Sequence, residues 1–67
     1  MSQYTILVDS FKTKKYHLNI LLHREDGPAI ELFNGEKLWY LNGKYYGYNN
    51  DFTTNSWIKF VNTLIFS

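Results

Sequence analysis

The chain has 67 residues, no cysteine and a formal net charge of +1. A chain of this length forms one small domain and buries only about 60% of the surface that its unfolded form exposes. Disulfide bonds cannot stabilise it, and two histidines are too few for a structural zinc site. The scattered, nearly balanced charge makes nucleic acid an unfavoured partner. Stability must therefore come from the 19% aromatic residues or from self-association.

Three absences suggest the cellular compartment. The sequence has no apolar run near the ~20 residues that a membrane-spanning helix needs. Its first ten residues lack the basic flank and the small-residue cleavage site of a signal peptide. The lack of cysteine fits a reducing compartment. We expect a cytoplasmic protein, in the host cytoplasm if the protein is viral, without membrane contact.

Residues 3–22 show the alternation of a first β-hairpin. Tyr4, Ile6 and Val8 fall on one side of a strand that starts at Gln3, because side chains alternate along a strand with a period of two. A polar turn follows, and residues 15–22 alternate again, with Ile20 on the inner side. We interpret residues 3–22 as an N-terminal hairpin with one continuous second strand.

Residues 23–48 contain two Asn-Gly dipeptides, Asn34-Gly35 and Asn42-Gly43. Asn-Gly is the strongest short signal for a two-residue hairpin turn, since the type I′ turn needs a positive φ at both positions. Two such turns predict three consecutive antiparallel strands in this unit.

Counting outward from both turns predicts the register and therefore the faces of these strands. One face is expected to form the core, with a central row of Ile30, Trp39 and Tyr46 beside Leu32, Leu41 and Tyr48. The other face collects Ala29, Glu31, Phe33, Leu38, Tyr40 and Tyr45. Because this second face is also largely apolar, we expect something to cover part of it.

The last part of the chain changes to a helical period. Thr54 or Asn55 can cap a helix over residues 55–65. An apolar stripe then recurs at helical spacing, formed by Trp57, Phe60, Val61, Leu64 and Ile65. A helix this short is unstable alone, so Trp57 is expected to contact the Ile30-Trp39-Tyr46 row. The whole chain predicts one α+β domain: an antiparallel meander of about five strands with one C-terminal amphipathic helix packed on one face.

Residues 22–48 also carry a repeat pattern. The segment HREDGPA is followed by a variable strand, a turn containing Gly, and the pattern K-x-W-Y-x-N-G-K. This segment resembles a single unit of the MORN-like β-hairpin repeats found in small bacteriophage proteins. The matching residues are His23, Arg24, Glu25, Asp26, Gly27, Pro28, Ala29, Gly35, Lys37, Trp39, Tyr40, Asn42, Gly43 and Lys44. The resemblance implies a hairpin scaffold and a phage accessory protein, and it transfers no catalytic or ligand-binding residue.

The residues that could carry chemistry lack their usual companions. His17 and His23 are not accompanied by a cysteine, a GxSxG motif or an HExxH motif. Glu25 and Asp26 are adjacent carboxylates without a third group to act with them. We therefore expect no enzymatic activity, no cofactor and no metal.

The aromatic residues of the second hairpin are the candidate binding surface. Tyrosine and tryptophan dominate the strongest contacts of protein interfaces, and they also stack on single-stranded bases. Cross-strand aromatic pairs such as Tyr40 with Tyr45 equally stabilise a small sheet without any partner. The candidate partner-binding residues are Phe33, Leu38, Tyr40, Tyr45, Lys37 and Lys44.

Three functions remain open from the sequence. The first is a phage accessory protein that inhibits a host protein by stoichiometric binding, with an antiviral defence component such as CRISPR as target. The second is a structural module that only self-assembles, with a homodimer as the simplest form. The third is a nucleic-acid or nucleotide binder, for which the sequence offers little charge.

Overall fold

The computed structural model describes residues 4–66, with side chains to residue 64. Its elements, in chain order, are β1 (Thr5–Val8), β2 (Lys14–Leu18), β3 (Leu21–Leu22), β4 (Ile30–Glu31), β5 (Lys37–Leu41), β6 (Lys44–Tyr48), a 3₁₀ turn (Asn49–Asp51) and α1 (Thr54–Phe66). Gln3, where the first strand was expected to begin, lies outside the described residues. No helix among the described residues is long and apolar enough to cross a membrane.

The strands form one antiparallel sheet in the order β1-β2-β4-β5-β6, and β3 shares an edge of β2 with β4. Each strand of this order pairs with its nearest neighbour along the chain, apart from the short β3. The sheet and its C-terminal helix confirm the predicted α+β class.

The second strand of the first hairpin is not continuous, which corrects the sequence interpretation. The chain reverses at Asn19 and Ile20, whose φ angles are 52° and 70°. Leu18 consequently faces Leu21, and His17 faces Leu22. Ile20 was expected on the inner side, but it is 93% exposed at the tip of this turn. The turn has the positive φ pair of a type I′ turn without the glycine that usually marks one.

The two Asn-Gly turns differ in length. Asn42 and Gly43 have φ angles of 52° and 80° and form the predicted two-residue turn, with Leu41 facing Lys44 and Tyr40 facing Tyr45. At the other turn, Leu32 donates its N–H to the carbonyl of Glu36 (2.9 Å), so the loop has three residues and only Gly35 has a positive φ. The predicted two-residue turn at Asn34-Gly35 is therefore wrong by one residue.

This one-residue difference moves Ile30 to the other face of the sheet. Ile30 faces Leu38, whereas the prediction paired it with Trp39. Directly opposite residues in an antiparallel pair project to the same face, and neighbours along a strand alternate. Ile30 therefore lies with Leu38 and Tyr40, and the predicted Ile30-Trp39-Tyr46 row does not exist.

A β-bulge in β6 changes the predicted faces once more. The register shifts between Trp39 and Tyr40, so that Trp39 faces Gly47 and Leu38 faces Tyr48. The extra residue is Tyr46, and its ring contacts those of α1 on the Trp39 side. Tyr48 was expected on the core face, but the bulge places it with Leu38.

The buried core lies on the face that carries Trp39 and Leu41, here called the core face. Trp39, Leu41, Trp57 and Val61 form its buried cluster, against which Tyr46, Phe52 and Phe60 pack. The ring of Trp57 lies 5.3 Å from that of Trp39 and 6.0 Å from that of Tyr46, centroid to centroid. Two of the predicted contacts of Trp57 are thus confirmed, and the third, with Ile30, is wrong.

Helix α1 is capped one residue earlier than expected. Thr53 Oγ1 accepts a hydrogen bond from the N–H of Ser56 (3.1 Å), and Ser56 Oγ accepts one from the N–H of Thr53 (2.8 Å). This reciprocal pair satisfies two backbone donors at the helix start. In the predicted stripe, Trp57 and Val61 are buried, Phe60 is partly buried and Leu64 is more exposed, while the side chain of Ile65 lies outside the described part.

Candidate functional site

Residues 24–28 of the HREDGPA segment form a loop that interrupts one edge of β2. His23 donates its backbone N–H to the carbonyl of Tyr16 (3.0 Å), and Tyr16 donates its own N–H to the carbonyl of Ala29 (2.7 Å). The chain thus leaves its pairing with Tyr16 after His23 and pairs with Tyr16 again at Ala29. The five residues between them, here called the 24–28 loop, bulge out of an otherwise continuous line of pairing.

Arg24 holds the 24–28 loop together. Its Nε donates to Asp26 (3.0 Å), its Nη1 donates to Glu31 (3.0 Å), and its guanidinium lies 4.0 Å from the ring centre of Tyr16. A Cβ at Gly27 would lie 2.8 Å from the Arg24 Cζ atom, so a larger residue there would displace the guanidinium from these contacts. Arg24 therefore joins Asp26 within the loop to Glu31 at the end of β4.

Both ring nitrogens of His23 are occupied by protein groups. The N–H of Asn42 donates to Nδ1 (2.9 Å), so the neutral ring carries its proton on Nε2 and donates it to Glu25 Oε2 (2.9 Å). The ring is almost fully buried and stacks on Tyr4. The hydroxyl of Tyr4 accepts the N–H of Glu25 (3.1 Å), and burial raises the pKa of that hydroxyl. His23 is thereby fixed as a connection between the 24–28 loop and the β5–β6 turn.

A pocket of about 420 Å³ opens beside this histidine. Leu41, Val61 and Leu64 give it apolar walls, and His23, Glu25 and Asn42 give it a polar end. The volume falls within the range of small-ligand sites. Since both nitrogens of His23 already have partners, the pocket presents no free imidazole nitrogen to a substrate or a metal. Among the described residues, no group of three or more His, Asp or Glu side chains could hold a metal ion.

The face opposite the core face carries one continuous row across five strands. The observed registers align five directly paired positions in the order Leu7, Lys15, Ile30, Leu38 and Tyr48. Tyr40 and Tyr45 lie beside the row, with ring centroids 5.5 Å apart. We call the surface formed by these seven residues the open face. Its central residue, Ile30, is buried (8% exposed), Leu38 and Tyr40 are half-buried, and the other four are exposed. Among the described residues, the ring contacts of α1 are with Trp39, Tyr46 and Phe52 and involve none of these seven.

The six candidate partner-binding residues do not form one surface. Leu38, Tyr40 and Tyr45 share the open face. Lys37 faces Glu31 and Lys44 faces Leu41, so both lysines project to the core face. The Nζ atom of Lys44 lies 5.4 Å from the ring centre of Tyr46 on that side. Phe33 is at the tip of the three-residue turn and is 74% exposed.

Sequence reasoning missed Phe11 as a candidate. It lies in the β1–β2 turn and is 74% exposed, as Phe33 is in the β4–β5 turn. Lys14 at the start of β2 faces Glu31 at the end of β4, so the two turns lie at the same end of the sheet. A large apolar residue within a short polar turn was the available signal, because burial cannot explain it there.

Tyr48 and Glu36 are coupled at this same end. The Tyr48 hydroxyl donates a hydrogen bond to Glu36, and Asn34 donates a second one to the same carboxylate. These bonds lower the pKa of Glu36, first through Tyr48 and then through Asn34. The same contact raises the pKa of Tyr48. The pair ties the β4–β5 turn to the last strand.

Comparison with protein-family models, with curated proteins and with solved structures finds no match to this chain.

Proposed function

We propose that the protein works by stoichiometric binding of another protein through the open face. The observation that supports this most is the row from Leu7 to Tyr48 with Tyr40 and Tyr45 beside it. Aromatic side chains on a rigid sheet lose little conformational freedom on binding, and they provide large contact areas. The buried polar groups of the 24–28 loop are engaged within the chain, so they favour scaffolding over chemistry.

The partner we propose is a host protein, and binding inhibits it by covering a working surface. The resemblance of residues 22–48 to phage repeats favours a component of an antiviral defence system of the CRISPR type. The near-neutral charge supports a protein partner over a nucleic acid, because phosphate contacts need an excess of Lys and Arg.

Paired variants on the two faces of the same hairpin test this proposal. Tyr40→Ala with Tyr45→Ala removes the tyrosine pair of the open face, whereas Lys37→Ala with Lys44→Ala changes the other face of the same strands. The readout is the number of phage plaques on bacteria with a CRISPR system that targets the phage, with and without the expressed protein. Circular dichroism of each purified variant confirms that it is folded.

We expect the wild-type protein and the lysine variant to raise the plaque count. With the tyrosine variant, this rise should be at least tenfold smaller. No rise with the wild-type protein would refute CRISPR as the target. Equal activity of both variants would refute binding through the open face.

A further inference from the structure

Strand β1 is an edge strand with apolar side chains on both faces. Ile6, Leu7 and Val8 are between 52% and 57% exposed. Within the described residues, β1 pairs only with β2, so its other edge is unpaired. Natural sheets usually protect such an edge with Lys, Pro or a bulge, since free backbone groups recruit another strand. The sequence Thr5–Val8 contains neither charge nor proline, and its pairing with β2 is regular.

The backbone contacts show which groups point away from the sheet. Tyr16 faces Ile6, but both backbone groups of Tyr16 bond to the opposite side of β2, to His23 and to Ala29. Bonded and non-bonded pairs alternate along an antiparallel ladder. The N–H and C=O groups of Ile6 and Val8 therefore point outward, and those of Leu7 point toward β2.

We propose that a second copy of the chain pairs antiparallel with β1 about a two-fold axis through Leu7. Directly opposite residues in an antiparallel pair project to the same face of the sheet. The two-fold axis must therefore pass through a residue, because an axis between two neighbouring residues would pair side chains of opposite faces. Centring on Leu7 brings the outward groups of Ile6 opposite those of Val8 of the second copy. Leu7 then faces Leu7 of the second copy in a non-bonded pair, where side chains approach closely.

The charges around β1 favour a second copy as the occupant. The paired segments are uncharged, and the antiparallel direction places Asp9 of one copy opposite Thr5 of the other. The two Asp9 carboxylates therefore lie at opposite ends of the pair. The row of the open face would then run without a break from one copy into the other, through the two Leu7 side chains.

The contact is small, which determines how it must be measured. Stable interfaces bury about 1,200–2,000 Å² in total, and a four-residue strand pair lies below that range. We therefore expect a dimer that forms with rising concentration. Such a dimer uses the β1 edge and leaves Tyr40 and Tyr45 accessible, so Leu7 is the one residue that it shares with the proposed binding surface.

Single-cysteine variants test the register, since the chain has no cysteine of its own. Opposed Cα atoms in a non-bonded antiparallel pair are about 4.5 Å apart, which a disulfide can bridge. With the axis through Leu7, two copies of residue 6 or of residue 8 lie on a diagonal of about 7–8 Å, which a disulfide cannot bridge without backbone movement. Leu7→Cys, Ile6→Cys and Val8→Cys are therefore compared under mild oxidation, with Phe33→Cys as an exposed control.

We expect Leu7→Cys to give a covalent dimer at least tenfold faster than the other three variants. Preferential cross-linking of Ile6→Cys or Val8→Cys would overturn the register, and equal rates for all four would overturn β1 pairing. A second measurement uses no cysteine. The mass of the wild-type protein should rise toward a dimer with concentration in sedimentation equilibrium, and Leu7→Lys should remain a monomer because it places like charges across the axis. A wild-type monomer at every concentration would also overturn the proposal.

Discussion

Among the described residues, Ile20 is the only β-branched one with a positive φ. Its φ of 70° lies in the left-handed region, which costs a β-branched residue about 1–2 kcal/mol. The side chain is almost fully exposed, so burial does not offset this cost. Hydrogen bonds and packing elsewhere in the β2–β3 hairpin hold Ile20 in this strained conformation.

Ile20→Gly should therefore stabilise the protein. The free energy gained by relieving the strain is larger than the free energy lost because glycine makes the unfolded chain more flexible. We expect a net gain of about 0.5–1 kcal/mol in the free energy of unfolding. Chemical denaturation measures it. Ile20→Ala is the control, since it keeps the Cβ and should change stability by less than about 0.5 kcal/mol. A glycine variant that is less stable than wild type would contradict the positive φ.

The hydrogen bond between Tyr48 and Glu36 should affect the titration of the Glu36 carboxyl group. Tyr48→Phe removes the first cause of the lowered Glu36 pKa, so this pKa should rise toward its ordinary value. A group with a lowered pKa in the folded state contributes stability above its unfolded pKa and loses it as pH falls through the folded pKa. The variant should therefore lack this small contribution at neutral pH, and its difference from the wild type should disappear as pH falls through the folded pKa of Glu36. NMR of the Glu36 carboxyl carbon measures the shift, and Tyr45→Phe should leave it much less affected.

At the scale of elements, Trp57 joins α1 to both the sheet and the 24–28 loop. Its ring contacts Trp39, Tyr46 and Phe52, and its Nε1–H donates to the carbonyl of Arg24 (2.8 Å). It is fully buried. One side chain thus connects residues 33 positions apart in the sequence.

Trp57→Ala should cost about 3–5 kcal/mol, which can unfold so small a domain. Trp57→Phe keeps an aromatic ring but loses the hydrogen bond to Arg24, so its cost should be clearly smaller. Lys59→Ala on the exposed side of α1 should be nearly silent. Thermal unfolding followed by circular dichroism compares the three. An alanine variant as stable as wild type would mean that α1 is not part of the core.

The sequence predicted the elements better than the faces. Alternation, Asn42-Gly43 and the helical stripe are local signals, and they led to the correct class. The loop at Asn34-Gly35 was predicted one residue too short, because Gly35 alone satisfies the turn there. One residue in a register exchanges the faces of a strand, which moved Ile30. The bulge at Tyr46 and the glycine-free turn at Ile20 depend on tertiary contacts, so no local signal marked them.

The candidate binding residues were likewise placed correctly only in part. Leu38, Tyr40 and Tyr45 were correctly placed together because Tyr40 and Tyr45 lie close to the turn that was predicted correctly. Lys37 and Lys44 were added for their charge, and alternation along their own strands places them on the other face. The hydrogen bond from the Asn42 N–H to His23 Nδ1 could not be read from the sequence, since the two residues lie 19 positions apart.

The shape of the described part of the molecule follows from its architecture, in which one helix and the 24–28 loop lie on one face of a wide sheet. The Cα atoms extend over 39 × 27 × 16 Å, so the molecule is thin in one direction. Helix α1 supplies the core with Trp57 and Val61, and Arg24 of the loop lies over Tyr16. Both elements lie on the core face, and the ring contacts of α1 among the described residues involve none of the row on the open face.

The solvent accessibility of the two faces in solution tests the open face most directly. A soluble paramagnetic agent broadens the NMR signals of side chains that solvent reaches. At low protein concentration, we expect strong broadening for Leu7, Tyr45 and Tyr48 and weak broadening for Trp39 and Trp57. Equal protection of Tyr45 and Trp39 would contradict an open face and, with it, the proposed binding surface.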